Sequence, residues 1–346
     1  MSSAELSAGQ PVEPPRHPVG RRSLIMIDPE RGGRMLGVDI WYPAAHHGAR
    51  EFPVSEYELF PGVSFTAASA RQDAPVLPGR FPLIVLSHGR TGMRFAYAML
   101  CEALAARGAL VVSADHPGDA LADWLLGTHV DDRTNEINRV GDAHLLVRAL
   151  VHGHESVPLD VLDAVDHDRV VLAGHSYGAY TALATVAGAR GVAAHERISA
   201  VVVYQPYTRT MSDSLLGRVN VPTLLVVSGR DRVTPPESDA ERPWALVRGR
   251  PTWRLDLPTA GHQASSDIGL YHELADRVTG LPAVVREYLD GASADAVAVG
   301  MPPWRAALRA QVAVTWAFLD SSEPLDARLA GLDAVLAPVA ATLQRR

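Results

Sequence analysis

Residues 170–180 read VVLAGHSYGAY, an apolar run that stops at Gly174, His175, Ser176, Tyr177 and Gly178 and passes into small helix-forming residues. The G-x-S-x-G spacing describes a strand reversing sharply into a helix. Two glycines remove side chains that would collide, and the serine between them is held in a strained backbone conformation with its hydroxyl clear of the sheet. The following helix aims its N-terminus at any negative charge developing there. Serine is a weak nucleophile until a base takes its proton and a third group orients that base. Both partners occur downstream. VPTLLVVSGRDRVTPPE holds a buried strand over 221–228 and a polar loop with Asp231; TWRLDL at 252–257 is a second strand, and its following loop, PTAGHQASSD, carries His262. Ser176, Asp231 and His262 thus form a candidate set of nucleophile, orienting acid and general base.

A fourth part is needed, donors for the oxyanion of an acyl-transfer intermediate. FPLIVLSHGRTGMR supplies a strand at 83–87 and a tight loop at Ser87, His88, Gly89 and Arg90, so the backbone amides of Arg90 and Tyr177 are the expected donors. His88 reads as a brace for that loop. Asp115 and His116 also stand at a strand end, but His116 precedes the nucleophile and ranks below His262 as base. Arg90 and Arg94 flank the loop, either solvated or attracting an anionic group.

The chain order Ser, Asp, His is that of α/β-hydrolases. VDIWYPA (38–44), PLIVLSHGRTGMRFAY (82–97), LAARGALVVSADHPGD (104–119), RVVLAGHSYGAYTAL (169–183) and GHQASSD (261–267) are similar to platelet-activating factor acetylhydrolases and their bacterial dienelactone-hydrolase-like relatives, over roughly residues 22–270. The resemblance implies a serine esterase. It departs from the animal plasma-type enzymes, whose acid follows the strand after the nucleophile helix; here that stretch reads AVVVYQPYTR, with no carboxylate. Asp231 matches the bacterial relatives instead, and phospholipid specificity does not carry over.

The elements that must position these residues follow from periodicity. Residues 1–20 combine Pro, Ser, Gly and charge without period and read as a mobile leader; residues 21–346 read as a single domain. Strands are expected near 22–27 and 36–43, a long connection over 51–75, helix 95–107, strand 109–114, helix 136–152, strand 199–204 and a closing helix over 303–319. Such alternation implies an α/β-hydrolase fold, a mostly parallel central sheet with helices on both faces. Two segments exceed the minimal fold and are candidate cap segments. In 116–135, Trp124 is either buried under a solvated loop or part of the pocket wall. In 264–303, Leu270, Leu274, Val278 and Leu281 recur at helical spacing, Gly280 can end that helix, and a second helix carries Val285 and Leu289. The pair forms either a small helical cap, with Leu270 at the pocket mouth, or cladding on the sheet flank.

Of 346 residues 47% are hydrophobic and 21% charged, and the net charge of −7 disfavours nucleic acid as a partner. The single Cys101 lies on the apolar side of a helix and reads as a small buried hydrophobe. No secretory leader pattern or spanning segment is visible, which suggests a cytoplasmic protein. The sequence leaves the oligomeric state open. The expected function is cofactor-free and metal-free hydrolysis of a small-molecule carboxylic ester or lactone through an acyl-enzyme. The rivals are acyl transfer or cyclisation with the same residues, and a hydrolase-fold binding protein without chemistry.

Overall fold

The computed structural model describes residues 16–46, 51–60, 63–275, 281–294 and 304–346. In chain order the strands are β1 (Val19–Asp28), β2 (Arg34–Pro43), β3 (Tyr57–Phe60), β4 (Val63–Phe65), β5 (Arg71–Gln72), β6 (Phe81–Ser87), β7 (Leu110–Ala114), β8 (Val165–His175), β9 (Ala200–Tyr204), β10 (Thr223–Ser228), β11 (Thr252–Leu257) and β12 (Thr342–Arg345). Ten of them form one sheet in the order β12-β11-β10-β9-β8-β6-β7-β2-β1-β5, while β3 and β4 make a separate hairpin. From β7 to β11 the neighbours run parallel. β2 opposes both β1 and β7, and β12 opposes β11.

The parallel strands are buried on both faces, which is why they read as continuous apolar runs rather than alternating ones. In β8, Val171 and Ala173 enter one core while Val170 and Leu172 enter the other; β6 repeats this with Ile84 and Leu86 against Leu83 and Val85. Helices Ala98–Arg107 and Trp304–Leu319 cover the first face, and helices Asp132–His152 and Tyr177–Ala187 the second. Because β6, β8, β10 and β11 are parallel, the loops leaving their carboxyl ends gather on one edge of the sheet, where ligand sites of such folds are built.

Several boundaries differ from the sequence expectation. β1 begins at Val19, which is only 2% exposed, so the chain is ordered before residue 20; residues 1–15 of the expected leader lie outside the described residues. The 51–75 connection contains the β3–β4 hairpin, anchored by Tyr57, whose buried hydroxyl donates to Glu102 Oε1 (2.8 Å) and accepts from Trp41 Nε1 (2.8 Å). Within 116–135, residues 121–126 form a short helix and Asp131 caps the next one, accepting from the Thr134 amide (3.0 Å) and hydroxyl (2.6 Å). That N-cap lets the long helix begin at Asp132, four residues ahead of the expected start. In 264–303 the expected helical pair is present as Ile268–Ala275 and Ala283–Ala294; Val278 and Gly280 lie outside the described residues. Strand β12 was not expected. Cys101 is buried, and no helix among the described residues is long and apolar enough to cross a membrane.

Candidate active site

Ser176 stands between β8 and the helix Tyr177–Ala187 with φ 54° and ψ −118°, a conformation that L-residues rarely adopt. The two glycines of the motif permit it. A Cβ on Gly174 would lie 2.1 Å from the Gly178 oxygen, and one on Gly178 would lie 1.9 Å from the Ser87 oxygen, so the helix can approach β6 and β8 only because both are glycine. The turn is pinned by the Ser176 amide donating to the Tyr204 carbonyl (3.0 Å) and the Tyr207 amide donating to the Ser176 carbonyl (3.1 Å).

The loop after β10 presents Asp231, and the loop after β11 presents His262. Asp231 Oδ1 accepts the amides of Val233 (2.9 Å) and Thr234 (2.7 Å), the Asx-turn pattern that a loop aspartate favours. Its Oδ2 accepts the Thr234 hydroxyl (2.7 Å) and faces His262 Nδ1 at 2.7 Å. The opposite ring nitrogen, Nε2, lies 3.0 Å from Ser176 Oγ. A carboxylate can only accept, so Nδ1 carries the proton and Nε2 is the free acceptor aimed at the serine. Ser176, Asp231 and His262 are 9%, 5% and 4% exposed. Burial alone would raise the Asp231 pKa, but the hydrogen bond and charge of His262 and the Thr234 donors hold it below the ordinary aspartate value. The acid is therefore ionised wherever the imidazole needs it.

Ser176 and His262 open onto a cavity of about 240 Å³. Residues Gly89 to Gly92 line one part of it, which brings Arg90 to the site, and its apolar walls include Met93, Tyr271, Tyr288 and Leu289. The Arg90 guanidinium is bonded to Asp132 (2.5 Å) and lies over the Tyr177 ring, 4.6 Å from its centroid. Arg94 is paired with Asp115 and Asp39. Neither arginine is a free anion receptor, and the solvated alternative is also wrong for Arg94, whose partners hold it.

Two expected substrate contacts are not in the cavity. Trp124 stacks on His129 (centroids 4.0 Å apart, planes 2° apart) and donates to Asp119 (3.1 Å), so it braces its own loop rather than the pocket wall. Leu270 is fully buried in the core; helical phase turns Ile268 and Tyr271 toward the cavity instead. From the second helix Tyr288 and Leu289 line it, so the pair does border the cavity, through different side chains.

His88 braces the loop after β6: its Nδ1 donates to the Gly89 carbonyl (2.6 Å), its Nε2 accepts the His116 amide (3.2 Å), and burial beside Arg139 keeps it neutral with a pKa far below the ordinary value. His116 pairs with Asp142 (3.0 Å) away from the serine. Sequence reasoning passed over Thr234, Tyr97 and His175. Only Thr234 had a local signal, its place three residues after a loop aspartate.

Residues 59–140 match the family model described as platelet-activating factor acetylhydrolase, isoform II. That segment holds the Ser87–Arg90 loop but ends before Ser176. No curated protein matches the chain. Among solved structures, a ferulic acid esterase from Streptomyces cinnamoneus is similar at 24% identity with a TM-score of 0.71, over 99% of this chain and 100% of that one. The chain has the α/β-hydrolase fold and resembles platelet-activating factor acetylhydrolases.

Proposed function

We propose that the protein is a serine hydrolase of small carboxylic esters or lactones. The observation that carries this reading is the unbroken line from Asp231 Oδ2 through His262 (2.7 Å to Nδ1, 3.0 Å from Nε2) to Ser176 Oγ on a strained elbow. Ser176 Oγ attacks the carbonyl carbon as its proton passes to His262 Nε2. Asp231 stabilises the imidazolium and keeps its proton on Nδ1. The amides of Tyr177, at the helix N-terminus, and Arg90 donate to the oxyanion. His262 then protonates the leaving alcohol, and water, activated by the same imidazole, releases the acid from Ser176.

The cavity bounds the acyl group. About 240 Å³ walled by Met93, Tyr271, Tyr288 and Leu289 accommodates a short aliphatic chain or one aromatic ring, and the one lining arginine, Arg90, is already paired with Asp132. The name of the fold neighbour points the same way, toward an aromatic acid.

The test is labelling by a fluorophosphonate together with turnover of p-nitrophenyl esters from acetyl to octanoyl and of a feruloyl ester, with and without added alcohol or amine. One label per chain is expected, abolished by Ser176→Ala, with the free acid as product. Label retained in Ser176→Ala would remove the mechanism, and a product carrying the added nucleophile would replace hydrolysis by transfer.

A further inference from the structure

His175, the variable residue inside the G-x-S-x-G turn, is 2% exposed, borders the cavity beside Ser176, and has both its ring nitrogens engaged. Its Nε2 lies 2.8 Å from the backbone carbonyl of His262, and its Nδ1 lies 2.8 Å from the Tyr97 hydroxyl. That hydroxyl in turn accepts the Gly89 amide at 3.2 Å. The direction of every proton follows from what each group can do. A carbonyl only accepts, so Nε2 carries a hydrogen and donates it to His262; the Tyr97 oxygen takes the Gly89 N–H and gives its own proton to Nδ1.

We infer that Tyr97 and His175 are positioning residues: one hydrogen-bond chain, Gly89 N–H to Tyr97 to His175 to the His262 carbonyl, fixes the oxyanion loop, the nucleophile turn and the base loop against one another. The inference rests on the hydrolase reading above. Each anchor is one residue from a reacting group or is that residue itself. Gly89 precedes the Arg90 amide, His175 precedes Ser176, and the carbonyl held is that of His262. Glycine at 89 is part of the arrangement, since a Cβ there would lie 3.2 Å from His175 Nδ1.

The chain demands a neutral His175, and its surroundings provide one. Burial and the neighbouring His262 lower its pKa to about 3. Its ring lies 4.7 Å from the His262 ring, inclined at 48°. A charged His175 at that distance would oppose the proton that His262 must take from Ser176, whereas the neutral Nε2–H tautomer holds the loop without that repulsion. Tyr97 completes the enclosure, its ring 5.4 Å from His175 on another side.

The experiment measures pre-steady-state acylation by p-nitrophenyl acetate, steady-state KM, melting temperature and fluorophosphonate stoichiometry for the full chain and for His175→Phe, His175→Gln and Tyr97→Phe. It is joined by 15N NMR of labelled histidine in the wild type. Glutamine can place an amide N–H near the Nε2 position and restore the bond to His262. Small displacements of reacting groups cost up to about 100-fold, so His175→Phe should slow acylation about 30- to 100-fold, with KM within about twofold and one label still taken per folded chain. His175→Gln should recover to within about threefold and Tyr97→Phe should slow acylation about tenfold, by the same positional argument. One histidine should show a neutral Nε2–H pattern down to pH 5. Wild-type acylation in His175→Phe or, if that variant does not fold, in Tyr97→Phe overturns the inference. So does a glutamine variant as slow as the phenylalanine one, or a His175 that titrates near neutral pH. A wild type that takes no label sinks the hydrolase reading and this one with it; a labelled wild type with unaltered variants sinks this one alone.

Discussion

Among the described residues two buried histidine–aspartate pairs stand at the carboxyl ends of strands, His262–Asp231 and His116–Asp142, and only the first faces a serine. His262 meets Asp231 at 2.7 Å and His116 meets Asp142 at 3.0 Å. Each imidazole packs against a second one, His262 on His175 at 4.7 Å and His116 on His88 at 4.9 Å. The backing of the carboxylates differs. Asp231 is held by two amides and a hydroxyl, whereas Asp142 is held by the guanidinium groups of Arg34 (2.8 Å to each oxygen) and Arg31 (2.7 Å). The outlets differ as well. His262 Nε2 points at Ser176 Oγ, while His116 Nε2 is buried with no hydrogen-bond partner among the described residues. An aspartate already neutralised by two arginines has little charge left to stabilise an imidazolium. Burial and Arg139 accordingly outweigh Asp142 and lower the His116 pKa to about 4. The two dyads thus differ in a receiving atom and in a carboxylate with charge to spare, not in their place at a strand end.

The largest effect that could break this contrast is on kcat. Asp231→Asn should lower kcat by about 10⁴ with little change in melting temperature, because the imidazole loses its tautomer and orientation. Asp142→Asn should do the reverse. It leaves Arg34 and Arg31 without their buried counter-charge and costs about 3 kcal/mol of stability, seen in denaturant melts, while kcat per labelled site stays within about threefold. A kcat loss in Asp142→Asn as deep as that in Asp231→Asn would end the distinction.

Acid sharpens it next. His175 has a folded pKa of about 3, and His116 and His144 of about 4, all depressed chiefly by burial. The unfolded chain therefore binds more protons than the native state once pH drops below about 6.5, the value of a free imidazole. Stability from these groups is complete above that pH and is lost as pH falls toward 4 and then 3. Thermal melts should show Tm falling by about 10 °C or more between pH 6.5 and 4.5, and His144→Phe should flatten that slope. A Tm independent of pH over that window would contradict the lowered pKa values of all three.

The smallest expected effects concern the cavity. Tyr288→Ala and Leu289→Ala should shift the preference between octanoyl and acetyl esters by about tenfold, the scale of a few methylenes in an apolar pocket. Leu270→Ala should leave that preference alone and cost about 2–5 kcal/mol as a core truncation. If Leu270→Ala instead moves the ester profile, its assignment to the core is wrong.

What could be read from the sequence was whatever local order encodes. Ser176, Asp231, His262 and the Arg90 loop each follow an apolar strand that ends in glycine or a polar turn, and the structure brings all four to one edge. The helical pair after His262 was legible by period, but not its phase, since Leu270 and Tyr271 differ only in which side of a turn meets the core. Strand β12 has no apolar alternation because its residues are largely exposed at the sheet edge, so nothing local marks it. Spacing alone left Trp124 open between a loop brace and a pocket wall, because only the fold brings His129 against its ring. The Tyr97–His175 contact joins residues 78 positions apart and leaves no trace in spacing.

The backbone at Ser176, at φ 54° and ψ −118°, places the serine where only glycine is at ease. Strain of this kind costs on the order of 1–3 kcal/mol and persists because the packed strand and helix on either side over-determine it. Selection for a sturdier fold alone would favour glycine at this position and erase the hydroxyl. In the proposed hydrolase reading, the strained serine is a position where stability is traded for activity.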